Sequence, residues 1–270
     1  MMSAAAPRIP DRATAPLWAH SLGCGSNVIL VHGGRGSHTH WIRNIRPLSE
    51  RYRVHALDLP GFGNASDVSG DISAEAYLSL VHEGVLGLIK NEPAAVLGFS
   101  FGGAVAADLS RRLGTQCSRL ALIGPGGFGE AKGRSLDLRS APPTNKADPA
   151  YRAVIRHNLL AMMLSDPSAV DEATIDLQCE NIARTRFNSL KVSLRPTLLA
   201  DLAAQTCPLL MVWGEKDVVA HPSPASRAQA CLMVRPDARV SMIRAAGHWV
   251  QYEASESFNS LVLGFLGEQN

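Results

Sequence analysis

The chain has 270 residues, of which 46% are apolar and 19% charged. That is enough for one large domain, or two small ones, around a core that needs neither disulfide nor metal, and it excludes wholesale disorder. Lys plus Arg number 26 against 24 Asp plus Glu, a formal charge of +2. This balance leaves no basic footprint for nucleic acid.

The first twenty residues are broken by Pro7, Arg8, Pro10, Asp11 and Arg12, so no stretch of signal-peptide length is read there. The longest apolar runs, such as residues 209–213, fall far short of the roughly 18 residues of a membrane span. A cytoplasmic chain with no membrane partner is expected. Beyond the N-terminus, short aliphatic or β-branched runs alternate with longer amphipathic stretches, the pattern of parallel strands joined by helices. Residues 18–22 make a short first strand, leaving the N-terminal sheet edge reduced. Strands are expected at 28–31, 52–57, 94–97, 120–123, 209–213 and 239–243, each apolar enough to be covered on both faces.

Helical spacing of apolar residues marks 74–90, 101–113 and 258–266. Between 128 and 205 the rhythm breaks. Residues 129–148 are rich in Gly, Pro and charge, and helical patterns follow at 151–164 and 171–190. A structureless connection of that length is uncommon in a compact domain, so 128–205 reads as an inserted helical cap on a core formed by 1–127 and 206–270. The five cysteines are odd in number and scattered, without zinc or redox spacing, and read as buried or incidental thiols. His38-Thr39-His40 resembles a ligand pair but lies in a Gly-rich stretch without a neighbouring carboxylate, and is expected to be a solvated loop. No metal or cofactor is called for. Residues 58–63 read as a turn, and His55, His82 and Asp108 have no visible partner.

The chemistry concentrates at Gly98-Phe99-Ser100-Phe101-Gly102-Gly103. A serine between glycines at a strand-to-helix turn is held in a strained conformation with its hydroxyl above the sheet edge. Such a hydroxyl needs a base, and the base an orienting acid, in the chain order Ser, acid, His. The strand at 209–213 runs into Gly214-Glu215-Lys216-Asp217, which supplies Asp217, with Glu215 as its rival. The strand at 239–243 runs into Ala245-Ala246-Gly247-His248, which supplies His248. Both fall at strand C-terminal ends, where α/β sheets carry functional groups. Oxyanion donors are expected from the backbone N–H groups of Gly34 and Phe101. Glycines 33, 34 and 36 let the loop approach a substrate closely.

Val31-His32-Gly33-Gly34, Asp58-Leu59-Pro60-Gly61-Phe62-Gly63, the serine motif, Asp217 and Gly247-His248 together resemble the α/β-hydrolase superfamily over nearly the whole chain. Within it, residues 124–129 (GPGGFG) and 247–253 (GHWVQYE) look like the meta-cleavage-product hydrolases, which cleave a C–C bond in vinylogous 1,5-diketones from aromatic degradation. The resemblance implies that Trp249 lines the substrate pocket beside His248. It also implies a cap arginine for the substrate carboxylate; that position falls near Gln178, with Arg184 and Arg186 one or two turns on, and Arg184 is carried forward. The chain departs from the family at Arg35, which interrupts a glycine run, and at Phe99, where a polar residue is common before the nucleophile. The expected substrate-contacting residues are thus Gly33, Phe99, Trp249 and Arg184, and the expected ligand is a small molecule. Three readings remain: a C–C hydrolase, a carboxylesterase or lactonase, and a slow-turnover ligand receptor on the same fold. Homo-oligomerisation is left open.

Overall fold

The computed structural model describes residues 17–268 apart from 131, 134 and 141–145; the N-terminal reading of residues 1–16 lies outside them. Seven strands form one sheet: β1 (Trp18–Leu22), β2 (Asn27–Val31), β3 (Arg53–Asp58), β4 (Ala94–Phe99), β5 (Cys117–Ile123), β6 (Leu209–Gly214) and β7 (Arg239–Ile243). Their order is β1-β3-β2-β4-β5-β6-β7, with only β1 antiparallel. The helices are α1 (Ile45–Ser49), α2 (Ala74–Ile89), α3 (Phe101–Leu113), α4 (Pro149–Asn158), α5 (Glu172–Ala183), α6 (Leu190–Ser193), α7 (Leu198–Ala203), α8 (Pro224–Val234), α9 (Val250–Glu253) and α10 (Ser255–Gly267).

Alternation along the strands divides the core in two, because successive side chains point to opposite faces. Ile29, Val31, Val96, Leu120, Leu122, Met211 and Trp213 pack with α2 and α3 on one face. Val28, Leu30, Leu97, Phe99, Ala121, Ile123, Leu210 and Val212 pack with α1 and α10 on the other. Strands β2, β4 and β6 are buried throughout. Strand β7 departs from the expectation of two covered faces: Arg239 and Met242 are exposed. It is the last strand of the sheet and pairs only with β6.

All described helices between β5 and β6 fall in the 149–203 segment. The pattern at 151–164 resolves into α4 followed by one wider turn at Leu159–Met163, closed by the Leu164 amide donating to the Leu159 carbonyl at 2.9 Å. The continuous helix expected over 171–190 instead stops at Ala183. The chain leaves helical geometry because Arg186 is drawn onto the turn after β3: its amide donates to the Gly61 carbonyl at 2.8 Å, and its guanidinium reaches the Ala65 carbonyl at 2.7 Å and the Asp67 carboxylate. Asp148 caps α4 through the Ala150 amide, with Pro149 in the first turn where a missing N–H costs nothing.

Candidate active site

Strand β4 ends at Phe99, and α3 begins two residues later, so Ser100 must turn the chain alone. It does so at φ +54°, a conformation costly for a side chain bearing a Cβ. Close approach of strand to helix requires the flanking glycines. A Cβ on Gly98 would lie 2.3 Å from the Gly102 carbonyl oxygen, and one on Gly102 would lie 2.3 Å from that of His32. The Ser100 amide donates to Ile123 at 2.9 Å, and its carbonyl accepts from Gly126 at 2.8 Å. The hydroxyl is left to reach toward His248.

That histidine sits 2.9 Å away, Ser100 Oγ to His248 Nε2, and its Nδ1 donates to Asp217 Oδ2 at 2.8 Å. Asp217 and His248 are both buried. The other carboxylate oxygen of Asp217 accepts the amides of Val219 at 2.8 Å and Ala220 at 3.2 Å, which fixes its plane. Glu215, the rival acid, instead accepts the Ala245 amide at 3.3 Å on the surface. Gly124 lies against the pair: a Cβ there would be 3.0 Å from both Asp217 Oδ2 and the His248 ring.

The loop carrying His248 is tied down by Glu253, the last residue of the 247–253 motif. Glu253 accepts the Gly247 amide at 2.5 Å, and its other oxygen accepts the Ser165 and Asp166 amides, each at 2.7 Å. The Trp249 amide donates to Met163 at 2.8 Å. His248 is thereby anchored to the turn after α4.

Above Ser100 lies a cavity of about 740 Å³. Its walls include Gly34, Phe99, Phe101 and His248, the glycines at 124, 126, 127 and 129, and an apolar ceiling of Leu136, Leu138, Met162, Leu190 and Leu194. Phe101 is the first residue of α3, whose first-turn amides have no acceptor within the helix. Over Gly34 hangs Ser189, whose hydroxyl would be 2.6 Å from a Cβ at that glycine. Among the described lining residues are three arginines, Arg35, Arg186 and Arg227, and no aspartate or glutamate.

Phe99 lines the cavity, its ring centroid 5.0 Å from that of His248. Trp249, Gly33 and Arg184 are not among the residues that line it. Trp249 is wholly buried beneath the site, its indole N–H donating to the His40 carbonyl at 2.9 Å and its ring stacked on Tyr252. Gly33 lies under the loop with its amide on His40 Nδ1 at 3.1 Å. There its lack of a Cβ makes room for the Phe99 ring, 2.8 Å from where one would sit. Arg184 points away, onto Glu180 and, at 3.0 Å, Asn64. Gln178 is buried, its amide donating to the Arg35 carbonyl at 3.3 Å.

The 38–40 segment is not a solvated loop. His38 is held on the buried Asp58 at 2.9 Å, and Asp58 also accepts the amides of His38 and Asn64, so the 58–63 turn is a structural one. His40 is fully buried, and burial, reinforced by the neighbouring His32 and His248, pushes its pKa well below the ordinary value. His32 is buried too, and desolvation brings it down to about 4; it donates to the Gly33 carbonyl and accepts the Leu59 amide. Two neutral imidazoles thus prop the loop that presents Gly34. His55 and Asp108 also have partners, the former Ser21 and Asn27, the latter Arg111 and Arg112. Of the cysteines, Cys24 is exposed and the other four are buried. Among the described residues no group of three His, Cys, Asp or Glu could hold a metal ion, and no helix is long and apolar enough to cross a membrane.

A serine on a strained turn, an imidazole in reach, and a buried acid behind it on a mostly parallel sheet define a hydrolase architecture, and residues 28–261 match the alpha/beta hydrolase family. The chain belongs to that family and is a hydrolase resembling the meta-cleavage product enzymes within it. A 2-hydroxy-6-oxononadienedioate/2-hydroxy-6-oxononatrienedioate hydrolase of Comamonas testosteroni is 27% identical over 264 residues, covering 90% of this chain and 88% of its own. The dihydrolipoyllysine-residue acetyltransferase component of an acetoin cleaving system from Pseudomonas putida is 31% identical over 90% of this chain and 64% of that longer one. A meta-cleavage product hydrolase from Pseudomonas fluorescens IP01 (CumD), solved as a mutant complexed with acetates, superposes with a TM-score of 0.73 at 25% identity, over 94% of this chain and 95% of that one.

Proposed function

We propose that this chain hydrolyses a carbon–carbon bond in a 2-hydroxy-6-oxo-dienoate of the ring-cleavage type, with Ser100 as nucleophile. The observation that carries the reading is the unbroken relay from Ser100 to His248 to Asp217 at the floor of an apolar-roofed cavity, together with the dienoate-hydrolase names of relatives. In this reading a proton first reaches carbon 5 of the dienolate, giving the keto form. Ser100 then attacks the carbonyl at carbon 6 as His248 takes the hydroxyl proton, Asp217 holds the imidazole tautomer, and the amides of Gly34 and Phe101 receive the oxyanion. Collapse breaks the bond between carbons 5 and 6; the electron pair leaves with the dienolate fragment, which takes the proton held by His248 and departs as the dienol, returning the imidazole to its neutral form. Water activated by His248 then releases the acyl group from Ser100 as a carboxylic acid.

Ester or lactone hydrolysis is the second reading. It is favoured by the apolar Phe99 ring against His248, which offers no polar contact to a dienolate, whereas acyl transfer from an ester requires only the relay and the oxyanion donors. A panel of ring-cleavage dienoates, aryl esters and lactones, with the Ser100→Ala protein as blank, separates them. The proposal expects loss of the yellow dienoate absorbance with kcat/KM at least tenfold above that for any ester, and none with the blank. Faster ester turnover would replace it by the second reading. Binding of the panel without turnover would make the chain a ligand receptor.

A further inference from the structure

The sequence resemblance points to the 149–203 segment for a carboxylate-binding arginine, yet the arginines there are engaged elsewhere. Arg184 is on Glu180 and Asn64. Arg186 lines the cavity but spends its guanidinium on Asp67 and on the carbonyls of Ala65, at 2.7 Å, and Arg184, at 2.8 Å. Across the cavity, Arg227 lies over the Phe128 ring, 4.2 Å from its centroid. Arg35 differs from all three. It lines the same cavity, and among the described residues its guanidinium has no ion pair or hydrogen bond.

Its backbone is held at φ +50°, a conformation glycine adopts freely and arginine does not. The carbonyl is fixed in that turn by the Gln178 amide, and the next residue, Gly36, packs so closely on the His40 ring that a Cβ would come within 2.1 Å of it. The backbone is therefore held where a cation sits on the loop, directly after Gly34, over which the Ser189 hydroxyl hangs. With no acidic residue among the described residues that line the cavity, this corner offers an unspent charged donor to an anion in the same cavity as the Ser100 hydroxyl.

We propose that Arg35 anchors the carboxylate of the substrate, so that this site selects acids through the loop after β2 and not through an arginine of the 149–203 segment. The inference rests on Ser100 as the reacting group, but not on which bond is cleaved. It is tested with ligands that are not turned over: sorbate (hexa-2,4-dienoate) and its neutral amide, each used to slow fluorophosphonate labelling of Ser100. The acid should protect the unaltered protein at least tenfold better than the amide, in line with a charge-assisted contact. That ratio should fall to near one in Arg35→Gly, which suits the positive φ and is checked for an unchanged thermal transition, and should be largely kept in Arg35→Lys. Equal protection by acid and amide in the unaltered protein, or a ratio untouched in Arg35→Gly, overturns the assignment. An Arg35-dependent preference for the acid in a protein that leaves every dienoate intact would sink the C–C reading and leave the anchor standing.

Discussion

Asp217 shows how much depends on one oxygen at the residue scale. It holds His248 Nδ1 at 2.8 Å while two backbone amides hold the carboxylate itself, so Asp217→Asn keeps the packing and inverts the hydrogen bond that sets the tautomer. Turnover of the best panel substrate should drop by roughly 10³–10⁴-fold with the melting temperature nearly unchanged. Glu215→Gln, two residues away but on the surface, should cost less than about threefold. The reverse ranking in steady-state assays would make Glu215 the acid. Ser100, Asp217 and His248 were legible in the sequence because each follows a recognisable strand and the chemistry demands a fixed order of residue types. Side chains whose orientation the spacing does not determine were not. Trp249 adjoins His248 in sequence, yet its indole turns down to the His40 carbonyl; Gly33 adjoins Gly34, yet its face is filled by Phe99. Arg35 stood out only as an interruption in a glycine run, and nothing in the sequence says that Arg184 and Arg186 are already paired.

The element that positions the site is the turn between β4 and α3, and its tolerance is set by backbone contacts that cannot relax as a flexible side chain would. Gly102→Ala would press a methyl against the His32 and Val31 carbonyls at 2.3 and 2.5 Å. Overpacking of this kind costs about 1–3 kcal/mol, so the urea midpoint should fall and activity should fall further, because relief comes only by moving α3 and the Phe101 amide. Full activity in the variant would show that the turn need not be this tight. Strands and the helices flanking the sheet were readable from periodicity, since burial against one sheet imposes it. The helices between β5 and β6 were read less well, because their ends are set by contacts distant in sequence: α5 stops where Arg186 reaches the turn after β3, and α4 passes into a wider turn as Trp249 and Glu253 bind the chain at 163–166. Arg186→Ala should therefore raise amide exchange at 184–194 and raise KM for a cavity ligand several-fold more than it lowers kcat. Exchange unchanged in that stretch would mean the segment is held by its apolar contacts alone.

Across the whole molecule, buried neutral histidines couple the fold to pH. Burial lowers His32 to about 4, and His40 is depressed in the same direction, so the folded chain refuses protons that the unfolded chain takes up below about pH 6.5. The stability they support is complete above that pH and is lost as pH falls toward the folded values, at up to about 1.4 kcal/mol per pH unit for each group. For His32 that integrates to about 3 kcal/mol by pH 4. Urea midpoints should decline from pH 7.5 to 5.5, before most carboxylates titrate, and a flat profile would contradict the assignment of neutral imidazoles under the Gly34 loop. The proposed chemistry depends on the sheet bringing one hydroxyl to one imidazole across 148 residues of chain. Its most direct test is peptide mapping of the fluorophosphonate adduct: a single phosphonylated site at Ser100, slowed by orders of magnitude in His248→Ala and absent in Ser100→Ala, is the predicted result, and an adduct on another residue, or one formed as fast without the imidazole, would contradict it.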